Sequence, residues 1–434
     1  MKKIIVISFL FIMASSTVFA QFFPDGITMS FWGQIAFVPL EIQFNQEESE
    51  YLETKQKIRT GIGPSWGLQP NGRAANLMFN GNSDYIGFGV EIEADIEIRL
   101  GEYAYIWAKP FMNDFLRLDA GVFMNHMFRG TRSIVNFAKF GLSAGTLAQD
   151  MDLNDAIFNR FAVKSIENEA GALLTITPVY GLNIAAFMRV QNSTLEAGPK
   201  KQIGPMLGSS VDRIQVAAGY KIQGAGFIRA QFINAPEFEF TGITTSTQYG
   251  GRFERNDFNL YYNYFKRIEA AFQLTAVQGL PLDIGVKIPF PESNNNIDYS
   301  APFVAALGTG YGFENFFCNL AFISWFGGGI NSRTTDYKFA PMFAVNLNPT
   351  YNFGFATVGA TIGMDYKGTD TANGNEIGFE RMDLGFTLYI MKKFSKGNIQ
   401  AGFSYTMLDI TNDRPGTRET GYFRIPLIME IEFF

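Results

Sequence analysis

The chain has 434 residues, a formal charge of −6 and 18% charged residues beside 45 Phe and 44 Gly. That acidic balance offers no basic footprint for nucleic acid, and the single cysteine excludes an internal disulfide. Abundant aromatics and glycine with few charges suit a membrane β protein, with apolar outer faces and tight turns.

At the N-terminus, Lys2 and Lys3 precede an apolar run at 4–13, then small residues and Val18-Phe19-Ala20 before Gln21. A basic start, a short apolar core and a V-x-A site make residues 1–20 a secretory signal peptide. Cleavage after Ala20 removes Lys2 and Lys3, so the mature chain, 21–434, carries −8 (−6 − 2). No cysteine follows the apolar core, so a lipidated N-terminus is not indicated.

Candidate strands follow at 27–38, 73–80, 85–100, 103–111, 115–124, 169–178, 182–191, 212–222 and 226–233. The rest are 266–277, 282–288, 301–311, 316–325, 337–347, 352–364, 377–391, 398–409 and 421–434. The alternation is cleanest from Ile86 to Leu100. There Ile86, Phe88, Val90, Ile92, Ala94, Ile96, Ile98 and Leu100 are apolar and every residue between them is Gly or charged. Taken as one strand, it reaches about 50 Å, far beyond the strands of soluble domains. The expected fold is a single all-β transmembrane antiparallel barrel of eighteen strands, or sixteen without 73–80.

Two uncharged stretches, 315–332 and 339–364, are long enough for helical spans. Gly327-Gly328-Gly329 in the first and Asn348-Pro349-Thr350-Tyr351-Asn352 in the second break them into hairpins. Connections alternate in length. Short ones fall at 81–84, 112–114, 179–181, 223–225, 278–281, 312–315, 348–351 and 392–397. Long ones fall at 39–72, 125–168, 192–211, 234–265, 289–300, 326–336, 365–376 and 410–420. Such a pattern places short turns on the periplasmic side and long loops outside. Gly101-Glu102 is the exception, a tight connection on the outer side. The long segment 125–168 either folds inward as a constriction or forms an external lid.

The two faces carry different chemistry. Strand 212–222 sets Ile214, Val216, Ala218, Tyr220 and Ile222 against Arg213, Gln215 and Lys221. Strand 377–391 sets Met382, Leu384, Phe386, Leu388 and Ile390 against Arg381, Asp383 and Thr387. Lys or Arg on a lipid face destabilises by about 2–4 kcal/mol at the midplane, so the polar parity faces water in a lumen. Candidate pore-lining residues are Glu91, Glu93, Asp95 and Glu97, spaced about 7 Å apart on one strand face. They would attract cations or be neutralised by Arg99, Lys109 and Arg117. A basic counter-face is offered by Arg189, Arg213, Lys221, Arg229, Lys287, Lys338 and Arg381, and Asp119 and Asp383 are further pore-lining candidates. Opposed acidic and basic ladders would set a transverse field in the pore.

The final strand ends on Phe434 and resembles the sorting signal that the barrel-insertion machinery reads in outer-membrane β-barrel proteins. Its apolar set is Phe423, Ile425, Leu427, Met429, Ile431 and Phe433, one step off the usual register because Glu430 and Glu432 take the other parity. The segment Ile106-Trp107-Ala108-Lys109-Pro110-Phe111, with Leu116-Arg117-Leu118-Asp119-Ala120-Gly121, resembles a hairpin of treponemal outer-membrane β-barrel proteins. That resemblance implies a spirochaete surface protein of porin-like type and assigns no residue roles.

Bond chemistry has little support. The sole histidine, His126, has Ser133 and Ser143 nearby but no nucleophile elbow or paired acid. The run DTANGNE at 370–376 lacks the spacing of a calcium loop, and Cys318 has no neighbouring ligand and packs as a small hydrophobe. No enzyme, cofactor or metal is expected. The expected function is passive diffusion of small hydrophilic solutes or ions across the outer membrane, after Sec-type export. Expected partners are lipid, the insertion machinery and the solutes; assembly into a homo-oligomer stays open. One alternative is a hydrophobic-substrate transporter, for which 21–26 offers no plug. Another is a non-conducting surface or adhesin barrel.

Overall fold

A computed structural model describes residues 27–47, 53–63, 75–94, 98–122, 170–189, 215–233, 267–277, 280–294, 297–300, 302–331, 333, 336–377, 380–407, 410–411 and 418–433. Residues 1–20, expected as a signal peptide, His126, the 125–168 segment and Phe434 lie outside the described residues. The elements begin with β1 (Ile27–Glu47), β2 (Glu53–Gly63), β3 (Ala75–Asn82), β4 (Ile86–Ala94), β5 (Ile98–Ala108) and β6 (Leu116–Val122). Next come β7 (Ala170–Val179), β8 (Leu182–Arg189), β9 (Gln215–Ile222), β10 (Gly226–Ile233), β11 (Arg267–Leu274) and β12 (Leu282–Pro289). Then β13 (Glu292–Asn294), β14 (Ile297–Ser300), β15 (Phe303–Phe313), β16 (Phe316–Phe326), β17 (Gly329–Asn331) and β18 (Asp336–Lys338). The last are β19 (Met342–Asn352), β20 (Thr357–Lys367), β21 (Asp370–Ala372), β22 (Asn375–Ile377), β23 (Arg381–Phe394), β24 (Gly397–Met407) and β25 (Arg418–Phe433).

Nineteen of these strands make one antiparallel sheet that closes on itself where β25 pairs with β1. β2 and β3 share a single place in the ring. β3 pairs with residues 27–33 of β1, and β2 pairs with its later half. The wall therefore has eighteen positions, the number expected from the alternation. No helix among the described residues is long and apolar enough to cross a membrane.

Two-residue periodicity puts alternate side chains on opposite faces of the wall. The outer parity is apolar and uncovered: Ile106, Ile184, Val216, Ile228, Ile284, Leu307, Leu320, Ile362, Leu388 and Leu427 are all exposed. Eight turns form one rim, and there Phe111, Phe115, Tyr180, Phe313, Phe353, Phe355 and Phe394 project. Toward the other rim, aromatic rings pair on the outside, Phe303 with Phe326 at 4.8 Å between centroids and Phe343 with Tyr366 at 5.1 Å. An apolar belt between two aromatic girdles is the exterior that lipid covers.

Several expected boundaries move. The 86–100 stretch is not one strand. β4 ends at Ala94 and β5 starts at Ile98, with Glu93 opposite Arg99 and Ile92 opposite Leu100. Partners across this hairpin share the same parity, so the alternation runs through the reversal without a break. Gly101 and Glu102, expected as a turn, lie inside β5 at a bulge, where Val90 pairs with Ala104 and Ile92 with Leu100. Pro39, expected to end the first strand, sits at another irregularity, and β1 continues to Glu47. The segment expected as a single 39–72 loop thus contains the end of β1 and all of β2. The turn expected at 348–351 lies at 353–356, so Pro349 is within β19, opposite Cys318.

Beyond the barrel rim, three successive connections form a separate six-stranded antiparallel sheet, β13-β14-β17-β18-β21-β22. The β21–β22 reversal uses Asn373 (φ 52°) and Gly374 (φ 79°), and Asn373 Oδ1 accepts the Asp336 N–H at 2.8 Å. The Asp370 carboxylate of DTANGNE is buried, accepting from Ala340 N at 2.8 Å and Lys367 Nζ at 2.9 Å.

Ile284 lies on the outer parity midway along β12. Ile284→Arg is expected to destabilise the folded barrel in vesicles by about 2–4 kcal/mol, measured as a shift in denaturant unfolding.

Candidate functional site on the inner wall

The inner parity carries the chemistry. On β10, β11 and β12, Gln231, Glu269 and Lys287 stand in one row across the three strands. Glu269 is the hub. Arg267 Nε donates to its Oε1 at 2.6 Å, Gln231 Nε2 donates to its Oε2 at 2.6 Å, and Lys287 Nζ lies 3.7 Å from Oε1. Arg229 and Asp283 extend the cluster on the same parity, and all five charged groups are buried. Their formal sum is +1, from Arg229, Arg267 and Lys287 against Glu269 and Asp283.

One local device recurs. Residues i and i+2 of a strand share a face about 7 Å apart, within reach of an arginine. Arg267 meets Glu269 in this way. Arg117 donates Nε and Nη2 to Asp119, with Nη2 at 2.5 Å from Oδ1, while its guanidinium lies 4.5 Å from the Trp107 ring centroid. Arg381 grips Asp383 similarly, with Nη2 at 2.7 Å from Oδ2. On the far side of the ring, Arg424 Nε of β25 donates to Glu41 Oε2 of β1 at 2.5 Å. Glu91 accepts from Asn76 Nδ2 at 2.7 Å.

Of the expected pore-lining residues, Glu91, Arg117, Asp119, Arg229, Arg381 and Asp383 take the inner parity. Lys221 is exposed near the short-turn rim. Glu93, Arg99 and Arg189 are described in their backbone alone, and Asp95, Glu97 and Arg213 lie outside the described residues. Of the four expected acids, Glu91 and Glu93 lie on β4, which ends at Ala94. Among the described side chains, acids and bases are intermixed on the inner wall, while the acidic run through Asp95 and Glu97 lies outside the described residues. Of the described inner acids, Glu91, Asp119, Glu269 and Asp383 each accept from an arginine or amide donor on the same or the next strand, which offsets their charge locally.

Sequence reasoning missed Glu41, Arg267, Glu269, Asp283 and Arg424. For Arg267 and Glu269 the signal was available in the same Arg-x-acid spacing as Arg381 and Asp383. For Glu41 and Arg424 none was, since 383 positions separate them. Part of the inner wall is also apolar: Leu173, Ala185, Phe187 and Ala217 form a buried cluster on β7–β9, with Met78 and Tyr105 packed against it.

No family model and no curated protein matches the chain. Solved structures with a similar fold include OccK2 (OpdF) of Pseudomonas aeruginosa in complex with glucuronate, at TM-score 0.48 and 9% identity over 95% of this chain and 100% of that one. The anion-selective porin from Comamonas acidovorans gives 0.46 and 9%, over 94% and 100%. The outer membrane channel DcaP of Acinetobacter baumannii gives 0.44 and 10%, over 94% and 97%.

Removing the hub would leave buried cations without their carboxylate. Glu269→Ala is expected to destabilise by about 3–5 kcal/mol. By contrast, Lys338→Ala, at an exposed pair with Asp336, should change stability by less than about 1 kcal/mol. Unfolding midpoints of the two variants check the contrast.

Proposed function

We propose that the chain is an outer-membrane channel for passive diffusion of small hydrophilic solutes or ions. The observation that carries this reading is a closed ring whose outer parity is apolar while Arg229, Arg267, Glu269, Asp283 and Lys287 occupy the inner parity of three adjacent strands. An ion cluster inside a lipid-coated wall is useful where polar solutes pass. The reading needs no catalytic group, metal or cofactor. Selectivity would come from lumen width and from the excess positive charge of the β10–β12 cluster.

Export through the signal peptide, insertion guided by the terminal strand and the treponemal resemblance of the β5–β6 hairpin belong to the same proposal. The terminal strand is compatible with it, since Phe423, Ile425, Leu427, Met429, Ile431 and Phe433 share the outer parity of β25. A second reading is a barrel filled by its own side chains, and the Leu173–Phe187 cluster with Tyr105 inside the ring favours it.

Conductance separates the two. Refolded full-length protein in planar bilayers is expected to give stable ohmic steps, and their absence would favour the filled barrel. With conductance in hand, Arg229→Gln combined with Lys287→Gln should move the reversal potential in a salt gradient toward cation preference. An unchanged potential would remove the cluster from selectivity.

A further inference from the structure

The outer parity of the ring carries almost no charge. Among the described side chains of the wall strands, the acids, arginines and lysines take the inner parity, with one exception, Lys392. On β23, Phe386, Leu388, Ile390, Lys392 and Phe394 alternate with Thr387, Tyr389 and Met391, and Lys392 pairs with the exposed Ile399 of β24. Its side chain therefore leaves the strand on the face that lipid covers. A lysine on such a face is costly at the bilayer midplane and tolerated at the interface. Lys392 stands two residues from the end of β23, at the aromatic girdle of the short-turn rim, where a long side chain reaches the headgroups.

The reversal that follows is basic as a whole. Lys392, Lys393 and Lys396 crowd into the segment 392–396, and all three are exposed. The other seven short turns carry only Asp84, Glu314 and the Lys109–Asp114 pair. Glu430 and Glu432 of β25 take the inner parity, as does Lys393, and Glu430 accepts from Trp32. Among the described residues, Lys392 and Lys396 have no carboxylate partner. The β19–β20 reversal stands alongside. Lys392 Nζ donates to the Phe355 carbonyl oxygen, which uses one of its three donors and leaves two. Phe353 lies 4.6 Å from Tyr351 and 6.2 Å from Phe355 between ring centroids, and these rings and Phe394 are exposed.

An ammonium on the lipid-covered face, a second lysine in the turn and a bank of exposed rings match one kind of partner. We propose that the β23–β24 turn holds an anionic phospholipid of the leaflet at the short-turn rim. Lys392 and Lys396 take its phosphate, and Phe353, Phe355 and Phe394 lie against its glycerol and the first methylenes of its chains. A zwitterionic phospholipid carries its own cation beside the phosphate and gains less from the lysines. A soluble acidic protein would meet Lys393 and Lys396 but not Lys392, which faces the bilayer. The site depends on the apolar exterior and not on whether the lumen conducts.

The test is native mass spectrometry of refolded full-length protein in detergent, titrated with phosphatidylglycerol or with phosphatidylcholine of the same chains. Wild type is expected to retain phosphatidylglycerol more tightly. K392Q/K396Q should weaken that retention about tenfold to thirtyfold, while K392R/K396R keeps it. K396Q alone, in the turn and outside the strand pairing, gives the same test at about fivefold for a double variant that does not fold. K221Q removes a lysine of the inner parity near the same rim and should leave retention unchanged. Equal retention of the two lipids by wild type, unchanged retention by K392Q/K396Q, or an equal loss from K221Q overturns the proposal. Selective retention without any bilayer conductance would instead overturn the channel reading and leave this site standing.

Discussion

Everything in the fold depends on the pairing of β25 with β1. Inside a bilayer no water is present to bond a free strand edge, so an apolar sheet of this size has to close. The seam is held on both faces. Inside, Trp32 Nε1 donates to Glu430 Oε1 at 3.0 Å and Arg424 to Glu41; outside, Phe31 and Phe433 lie 6.4 Å apart. Closure gives the alternation its meaning. In an open sandwich the apolar parity would be the interior, whereas in a ring with an uncovered apolar exterior the polar parity becomes the interior.

Closure also decides how charge is arranged. Inner acids and bases are intermixed, because a strand brings i and i+2 together and the ring brings neighbouring strands into register. Glu269 collects Arg267, Gln231 and Lys287 from three strands, and the cluster retains an excess of one positive charge. The wall is uneven: five charged groups cluster on β10–β12, apolar side chains pack on β7–β9, and single ion pairs stand on β6, on β23 and at the β25–β1 seam. A solute crossing such a lumen meets different chemistry on each side, so that the proposed channel would discriminate by the wall a solute touches as well as by size.

Much of this architecture was legible in the sequence. Period-two alternation located nearly every wall strand, and turn residues located one rim of short reversals. Proline and glycine misled where they serve the strand itself: Pro39 and Gly101 mark irregularities within continuous strands, and Pro349 sits inside β19. The candidate site was less legible. Arg117 with Asp119 and Arg381 with Asp383 announce themselves by spacing within one strand, but the hub role of Glu269 needs its neighbours on β10 and β12.

The sequence alone determined the all-β class, the two faces and the unequal rims, and narrowed the wall to eighteen or sixteen strands, because each follows from local backbone geometry and from which side chains tolerate lipid. Only the tertiary structure decided where the 86–100 stretch reverses, since a hairpin whose partners share parity leaves no mark on the alternation. It alone decided that Glu41 meets Arg424 and that Glu269 gathers Gln231 and Lys287 from the strands on either side. Those contacts are set by the register of a closed ring, a property of all its strands together and of no segment by itself.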